Sequence, residues 1–179
     1  MSLFFLLLNN NYGPFADAGF AFITHLGEEA VWIILFLYVI FFRRQFLPLL
    51  VIGLIISTLL VQGLKKSLPE LARPTKAIAN QAIIHTVNGV KLHTINSFPS
   101  GHTTAAFTVC LLACLLIHKR WIIPVAFIYA VAVGYSRIYL AQHFPRDVAG
   151  GMLIAVITAC CAVVLQQLIA TKWYKKSKH

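Results

Sequence analysis

The sequence predicts an all-α membrane protein, a polytopic bundle of five to six spanning helices forming one domain over residues 1–179. Four observations predict it. Hydrophobic residues make up 59% of the chain and charged residues only 11%, against roughly 25% charged in soluble domains. Mean hydropathy is +0.80. The apolar residues fall in runs near the ~20 that a spanning helix needs. Short basic groups separate these runs, which is how membrane topology is encoded.

The elements follow in order. The run 3–8 is too short to span. It has no basic residue before it and no small-residue cleavage site after it, so it does not read as a signal peptide. Residues 15–26 read as an interfacial helix or a partial, sixth span within the N-terminal 1–27. Glu28 and Glu29 fit the first turn of a helix at the water interface, where the helix dipole favours negative charge. The first span centres on 30–42 and the second covers 46–64. Pro69 and Pro74 then break the helix and open a long loop, 65–100. The runs 103–117 and 121–135 are shorter, and each extends by a turn into the polar segment beside it. The last span is 148–170.

Arg43-Arg44, His118-Lys119-Arg120 and the tail 172–179 fall at alternate ends of the spans. The positive-inside rule assigns them to the cytoplasm. Loop 65–100 and segment 136–147 then face outward together, with the N-terminus outside and the C-terminus cytoplasmic. The expected location is the plasma (inner) membrane, multi-pass, with the site facing outside or the periplasm; an endoplasmic reticulum location with a lumenal site is the alternative. The outer side also carries Lys65, Lys66, Arg73, Lys76, Lys91, Arg137 and Arg146. Topology does not require these cations, but an anionic ligand would. The net charge of +10 is therefore read as membrane topology plus ligand binding, and no nucleic acid partner is expected. The sequence leaves oligomeric state open.

Cys110, Cys114, Cys160 and Cys161 all lie in apolar runs without zinc-type spacing to histidine, and read as packing residues. Trp32, Trp121 and Trp173 read as interface or packing aromatics, and His25 and His118 as interfacial. His85 and His93 lie in the outer loop, either solvated or beside a headgroup.

Three short signatures carry the chemistry. In Ser136-Arg137-x5-His143-x3-Asp147, a carboxylate four residues from an imidazole fixes its tautomer and frees the other nitrogen to attack. An interfacial ion pair is the alternative. Pro145 between them suits a first helical turn. In Pro99-Ser100-Gly101-His102, Ser100 is a natural N-cap and Gly101 permits close approach of a ligand. The amides at a helix start favour an anion, and His102 is placed as a general acid; a plain helix cap is the alternative. In Lys66-x6-Arg73-Pro74, either cation alone reads as a snorkelling interface residue. Arg137, beside the polar end of a span, faces protein or a water-filled cavity, and its fork matches phosphate oxygens.

Taken together, these motifs resemble the type 2 phosphatidic acid phosphatase family, the membrane lipid-phosphate phosphatases, which share motifs with vanadium haloperoxidases. All positions of that pattern are matched between Lys66 and Asp147, with spacing unchanged inside each motif. The resemblance implies a metal-independent hydrolase with no cofactor, acting through a phosphohistidine. His143 would be the nucleophile, Asp147 its orienting partner and His102 the acid for the leaving group. Lys66, Arg73, Arg137, Ser100 and the Gly101 amide would hold the phosphoryl oxygens.

The implied substrate is a lipid phosphate embedded among membrane lipids: phosphatidylglycerophosphate, phosphatidic acid, undecaprenyl pyrophosphate or a phosphorylated lipid A. The acids Asp17, Glu28, Glu29, Glu70 and Asp147 are scattered, so Lys66, Arg73 and Arg137 are expected where other phosphatases use metal ions. The alternatives are a vanadium-dependent haloperoxidase, set against by the apolar chain, and a non-catalytic lipid-binding or transport component that kept the pocket.

Overall fold

The computed structural model describes residues 2–27 and 29–176. Glu28 and residues 177–179, the end of the basic tail, lie outside the described residues. Every regular element described is helical: α1 Ser2–Leu8, α2 Pro14–His25, α3 Glu29–Phe42, α4 Leu47–Ser67, α5 Pro74–Ala77, α6 Gly101–Leu116, α7 Ile122–Tyr139 and α8 Pro145–Lys176, with short 3₁₀ turns at Arg44–Phe46 and Gln81–Ile83. Proline marks several starts. Pro14, Pro74 and Pro145 each open a helix, where the missing N–H has no intrahelical partner to lose.

Among the described residues, three helical stretches are long and apolar enough to cross a membrane: Arg44–Ser67, Ile122–Tyr139 and Pro145–Thr171. The pair α2 and α3, bent by 49° at the break between them, makes a fourth if counted as one span. Helix α6 has 16 residues, roughly 24 Å at 1.5 Å per residue, which is short of a ~30 Å hydrocarbon core. The expectation of five to six spans therefore meets three qualifying stretches, or four with the bent pair. The shortfall arises because the N-terminal apolar run is broken at the Gly27–Glu29 region and because α6 ends at Leu116. The break is packed into the bundle: Gly27 is buried, and the position of a Cβ on it lies 2.5 Å from Val133 Cγ1 and 3.3 Å from His102 Cβ.

Helix α6 is the centre, packing on α7, α8, α4 and α3. Its residues Ala106, Val109, Cys110, Leu112, Ala113 and Leu116 are buried, as expected of a helix that is apolar all round. Against it α8 presents Gly151, Ala155, Ala159 and Ala162, all buried. Small residues at such spacing let helix backbones approach in a membrane, where there is little hydrophobic drive to associate. The approach is closest at the top: a Cβ on Gly151 would stand 2.8 Å from the Ser100 carbonyl oxygen. The four cysteines are free thiols.

The N-terminal segment caps one end of the bundle. Phe5 is fully buried and packs edge-on against Phe144 at 5.3 Å. Asn9 Nδ2 donates to the carbonyls of Ile138 (3.2 Å) and Tyr139 (2.7 Å). It also donates to the carbonyl of His85 (3.0 Å), while Asn9 Oδ1 accepts from the His85 amide (2.8 Å). Asp17 on α2 accepts from Tyr139 Oη (2.5 Å) and from His85 Nε2 (2.8 Å). Residues 2–25 thus lace the long loop to the end of α7. Trp32 is buried in the core and Trp121 is exposed.

Gly151→Ala should lower stability by about 1–3 kcal/mol, because the added methyl meets backbone that cannot move aside. Gly63→Ala, on α4 with nothing within 4 Å of the added carbon, should be neutral or stabilising by up to about 1 kcal/mol. Thermal unfolding in detergent measures both. An unchanged midpoint for Gly151→Ala would contradict the packing account.

Candidate active site

The chain turns sharply between α7 and α8. The Arg137 carbonyl accepts from the amides of Gln142 (2.9 Å) and His143 (3.1 Å). Ala141 takes φ +53°, a left-handed conformation uncommon for a residue with a Cβ and typical of helix C-caps. Pro145 then opens α8 and places Asp147 in its first turn. Asp147 is fully buried. Its Oδ2 accepts from Ser97 Oγ (2.5 Å) and from the Phe144 amide (2.9 Å).

His143, 1% exposed, points Nδ1 at the same carboxylate oxygen across 3.7 Å. That is ion-pair range but longer than a hydrogen bond. With Nδ1 on the carboxylate side, Nε2 is the nitrogen left for chemistry. Burial holds the His143 pKa well below the ordinary imidazole value, and the charges of Arg73 and Arg137 push the same way against the opposing pull of Asp147. The imidazole is therefore neutral near pH 7, the form a nucleophile requires.

Ser100 caps α6: its Oγ accepts from the Thr103 amide (3.4 Å) and from Thr103 Oγ1 (2.8 Å). Its own amide donates to the Asp147 carbonyl (3.0 Å). The starts of α6 and α8 are thereby joined, bringing Gly101 and His102 to the same end of the bundle as His143. Gly101 faces α4, with the position of a Cβ 3.6 Å from Val61 Cγ1 and 4.0 Å from Lys65 Nζ.

That contact brings in a lysine outside the three motifs. Lys66, the lysine selected by the motif spacing, is exposed. Lys65 is half-buried and directs its ammonium at Gly101. The reason is helical phase. The buried face of α4 runs through Gly53, Ser57 and Val61, and position 65 continues it by one turn while position 66 is rotated about 100° away. Arg73, 7% exposed, is turned into the protein: Nε donates to the Ile95 carbonyl (2.9 Å), and Nη1 to both the carbonyl and the side-chain oxygen of Gln142 (3.2 Å each). It clamps the long loop to the His143 turn. Arg137, also buried, donates to Thr24 Oγ1 on α2. Of the predicted residues, the fold gathers His143, Asp147, Ser100, Gly101, His102, Arg73 and Arg137, and leaves Lys66 outside.

Sequence reasoning missed Ser97, Gln142 and Thr24, which steady Asp147, Arg73 and Arg137. Ser97 precedes a Phe-Pro pair and Gln142 adjoins the motif histidine, but neither type carried a signal of its own. His85 serves the N-terminal lacing. His93 and His102 instead share a cavity of about 310 Å³ with Arg137 and Gln142. Among the described residues, no three of His, Cys, Asp and Glu gather to hold a metal ion.

The sequence profile of the PAP2 superfamily matches residues 46–171. The undecaprenyl-diphosphatase of Sulfolobus acidocaldarius is 31% identical over 156 residues, 84% of this chain and 70% of that protein. The putative undecaprenyl-diphosphatase YbjG of Escherichia coli is 37% identical over 81 residues, so the match spans only 40% of that relative's length. The crystal structure of Aquifex aeolicus LpxE superposes with a TM-score of 0.76 at 32% identity, covering 89% of this chain and 92% of that one.

The His143 ring should titrate below the ordinary imidazole value of about 6.5, as read by imidazole ¹⁵N NMR in micelles with His143→Gln supplying the assignment. Asp147→Asn should lower the midpoint further, since the carboxylate is the group that raises it. The sign for stability follows. An imidazole that resists protonation only when folded stabilises fully above the unfolded value, and the contribution is lost as pH falls below it toward the folded value. A midpoint at or above the ordinary value would contradict the site as described.

Proposed function

The chain belongs to the PAP2 superfamily, and on that premise we propose that it is an integral membrane phosphatase removing the terminal phosphate of a lipid phosphate or isoprenyl pyrophosphate. The observation that carries this reading is the convergence of a buried neutral His143, backed by Asp147, with the start of α6 and the cations Lys65, Arg73 and Arg137.

Phosphoryl transfer depends on positioning and charge stabilisation. Lys65, Arg137 and the Gly101 amide take the phosphoryl oxygens, while Arg73 adds positive field from the loop it clamps. His143 Nε2 attacks phosphorus. As the N–P bond forms, the P–O bond to the leaving group breaks, and the oxygen departs with the electron pair and a proton from His102. Asp147 balances the charge that develops on the ring. Water, deprotonated by His102, then attacks the phosphohistidine and releases phosphate. The fixed cations take the place of a metal ion, and no cofactor is involved.

In this reading α2–α3 forms one broken pass, and α4, α6, α7 and α8 form four more, making five. The site opens outside or to the periplasm of a plasma membrane, and the tail is cytoplasmic. Phosphatidylglycerophosphate, phosphatidic acid, undecaprenyl pyrophosphate and phosphorylated lipid A all present the required terminal phosphate. The undecaprenyl-diphosphatase relatives favour a diphosphate.

Purified chain in detergent should release phosphate from such lipids in the presence of excess EDTA, and His143→Ala should abolish release. Retained turnover in that variant would remove His143 as nucleophile, and activity that needs added magnesium would sink the metal-free reading.

Lys65→Ala should reduce kcat/KM on the order of 10²-fold, the usual loss for one transition-state donor. Lys66→Ala, a surface change, should stay within about twofold. The reverse ranking would restore the lysine chosen by motif spacing.

His102→Ala should cost on the order of 10²–10⁴ on a lipid monophosphate, whose alkoxide needs a proton, and clearly less on p-nitrophenyl phosphate, whose phenolate does not. Equal losses on both would make His102 a phosphate ligand or part of the helix cap instead of the acid.

A further inference from the structure

An apolar groove of about 500 Å³ lies between α6 and α8, toward the end of the bundle away from His143. Leu111 and Leu115 on α6 and Val156, Cys160 and Val164 on α8 line it, with the buried Ala159 as its floor. From 156 to 164 it follows about 12 Å of helix at 1.5 Å per residue. That length lies in the middle of the apolar stretch Pro145–Thr171. Leu115, Val156 and Val164 are each about half exposed. Helix α7 meets α8 near the site, where the position of a Cβ on Gly134 is 3.3 Å from Val148 Cγ1. Among the described residues, no α7 side chain lines the groove, so its open side faces lipid hydrocarbon.

The groove has a cationic ledge. One turn beyond Leu115, α6 has ended and the connection to α7 carries His118, Lys119 and Arg120, all exposed. The ledge is tightly folded: the Lys119 amide donates to the Ile117 carbonyl (2.7 Å), and the Lys119 carbonyl accepts from the Ile122 amide (3.0 Å). The exposed Trp121 beside these cations marks the level of the lipid headgroups. The five acids of the chain are Asp17, Glu28, Glu29, Glu70 and Asp147, so none lies on α6, on the ledge or in residues 148–179. Helix length adds an independent argument. Helix α6 is shorter than the hydrocarbon core, and a short element leaves the bilayer to adapt around its end. Helix α8 runs on to Lys176, and its Leu168 and Ile169 stay exposed. The result is a step: an apolar flank along α8 above a basic ledge at the end of α6.

We propose that this step seats one anionic phospholipid of the leaflet away from His143. An acyl chain lies in the groove along α8, and the headgroup phosphate rests on Lys119 and Arg120. The apolar wall accepts the chain of any phospholipid, while the cations select a net negative headgroup. Phosphatidylcholine carries its own cation and gains less. The lipid braces the far ends of the two helices whose near ends hold Ser100, His102 and Asp147. It takes no part in phosphoryl transfer, and the site stands whether or not the phosphatase reading does.

The test uses the full chain, delipidated in detergent and titrated with palmitoyl-oleoyl phosphatidylglycerol or phosphatidylcholine, with adducts counted by native mass spectrometry. Wild type should retain one phosphatidylglycerol and bind it about tenfold tighter or more than phosphatidylcholine. Lys119→Gln/Arg120→Gln should bring the two lipids within about twofold of each other. Val156→Trp, which fills the groove from a half-exposed position, should weaken both by about tenfold or more. Equal binding in wild type, a preference that survives the charge variant, or unchanged binding in Val156→Trp each overturns the site. A protein dimer that retains no lipid assigns the groove to a second copy of the chain and overturns it as well.

Cross-linking in wild type alone covers the case of a variant that misfolds. Phosphatidylglycerol with a diazirine midway along one acyl chain, diluted into phosphatidylcholine vesicles holding the full chain, should label residues 111–115 and 156–164 well above the exposed face of α7 at 123–131. Even labelling of the two surfaces would show bulk lipid only and overturn the seat.

Discussion

One buried carboxylate organises the functional end of this bundle. Asp147 lies fully inside the protein, and a buried charge is tolerable only if it is bonded and opposed. Ser97 brings the long loop to it, the Phe144 amide brings the α7–α8 turn, and the backbone carbonyl of Asp147 brings Ser100 and hence the start of α6. His143 completes the set at 3.7 Å. Two stretches distant in sequence, 97–100 and 143–147, therefore meet at one residue. The imidazole, the start of α6 and the loop that carries Arg73 have fixed relative positions because of it.

The cations are organised on a different principle. Repulsion among Lys65, Arg73 and Arg137 would spread them apart if each were free. Arg73 is held by the Ile95 and Gln142 carbonyls and Gln142 Oε1, and Arg137 by Thr24. The acceptors of Arg73 are all neutral oxygens, which bond its guanidinium without cancelling its charge. A cation so held keeps its place without further reorganisation. Helix α2, too short to span alone, packs along α7, where Thr24 meets Arg137 and Asp17 with Tyr139 and His85 fastens the other end of that helix.

Close helix approach is the third requirement. Gly151 sits 2.8 Å, measured from an added Cβ, from the Ser100 carbonyl, and the buried Ala155 and Ala159 follow one and two turns below. With bulkier residues there, the Ser100 amide could not reach the Asp147 carbonyl, and the histidines of α6 and the α7–α8 turn would separate.

The sequence by itself determined what depends on local composition and covalent spacing. Apolar runs gave the helices, Pro145 and Ser100 gave two helix starts, and the three motifs named His143, Asp147, His102, Arg73 and Arg137. Only the tertiary structure decided what depends on angular phase and on partners far away in the chain. That Lys65 turns inward and Lys66 outward is a rotation of about 100° on α4, invisible to a count of residues from Arg73 when Pro69 and Pro74 make the intervening path irregular. Ser97, Gln142 and Thr24 bear common polar side chains, and their roles exist only because folding sets them 50, 69 and 113 positions away from their partners Asp147, Arg73 and Arg137. The break between α2 and α3 belongs to the same class: hydropathy registers the acids at 28 and 29, but the place of the bend is fixed by Gly27 seated against Val133 and His102.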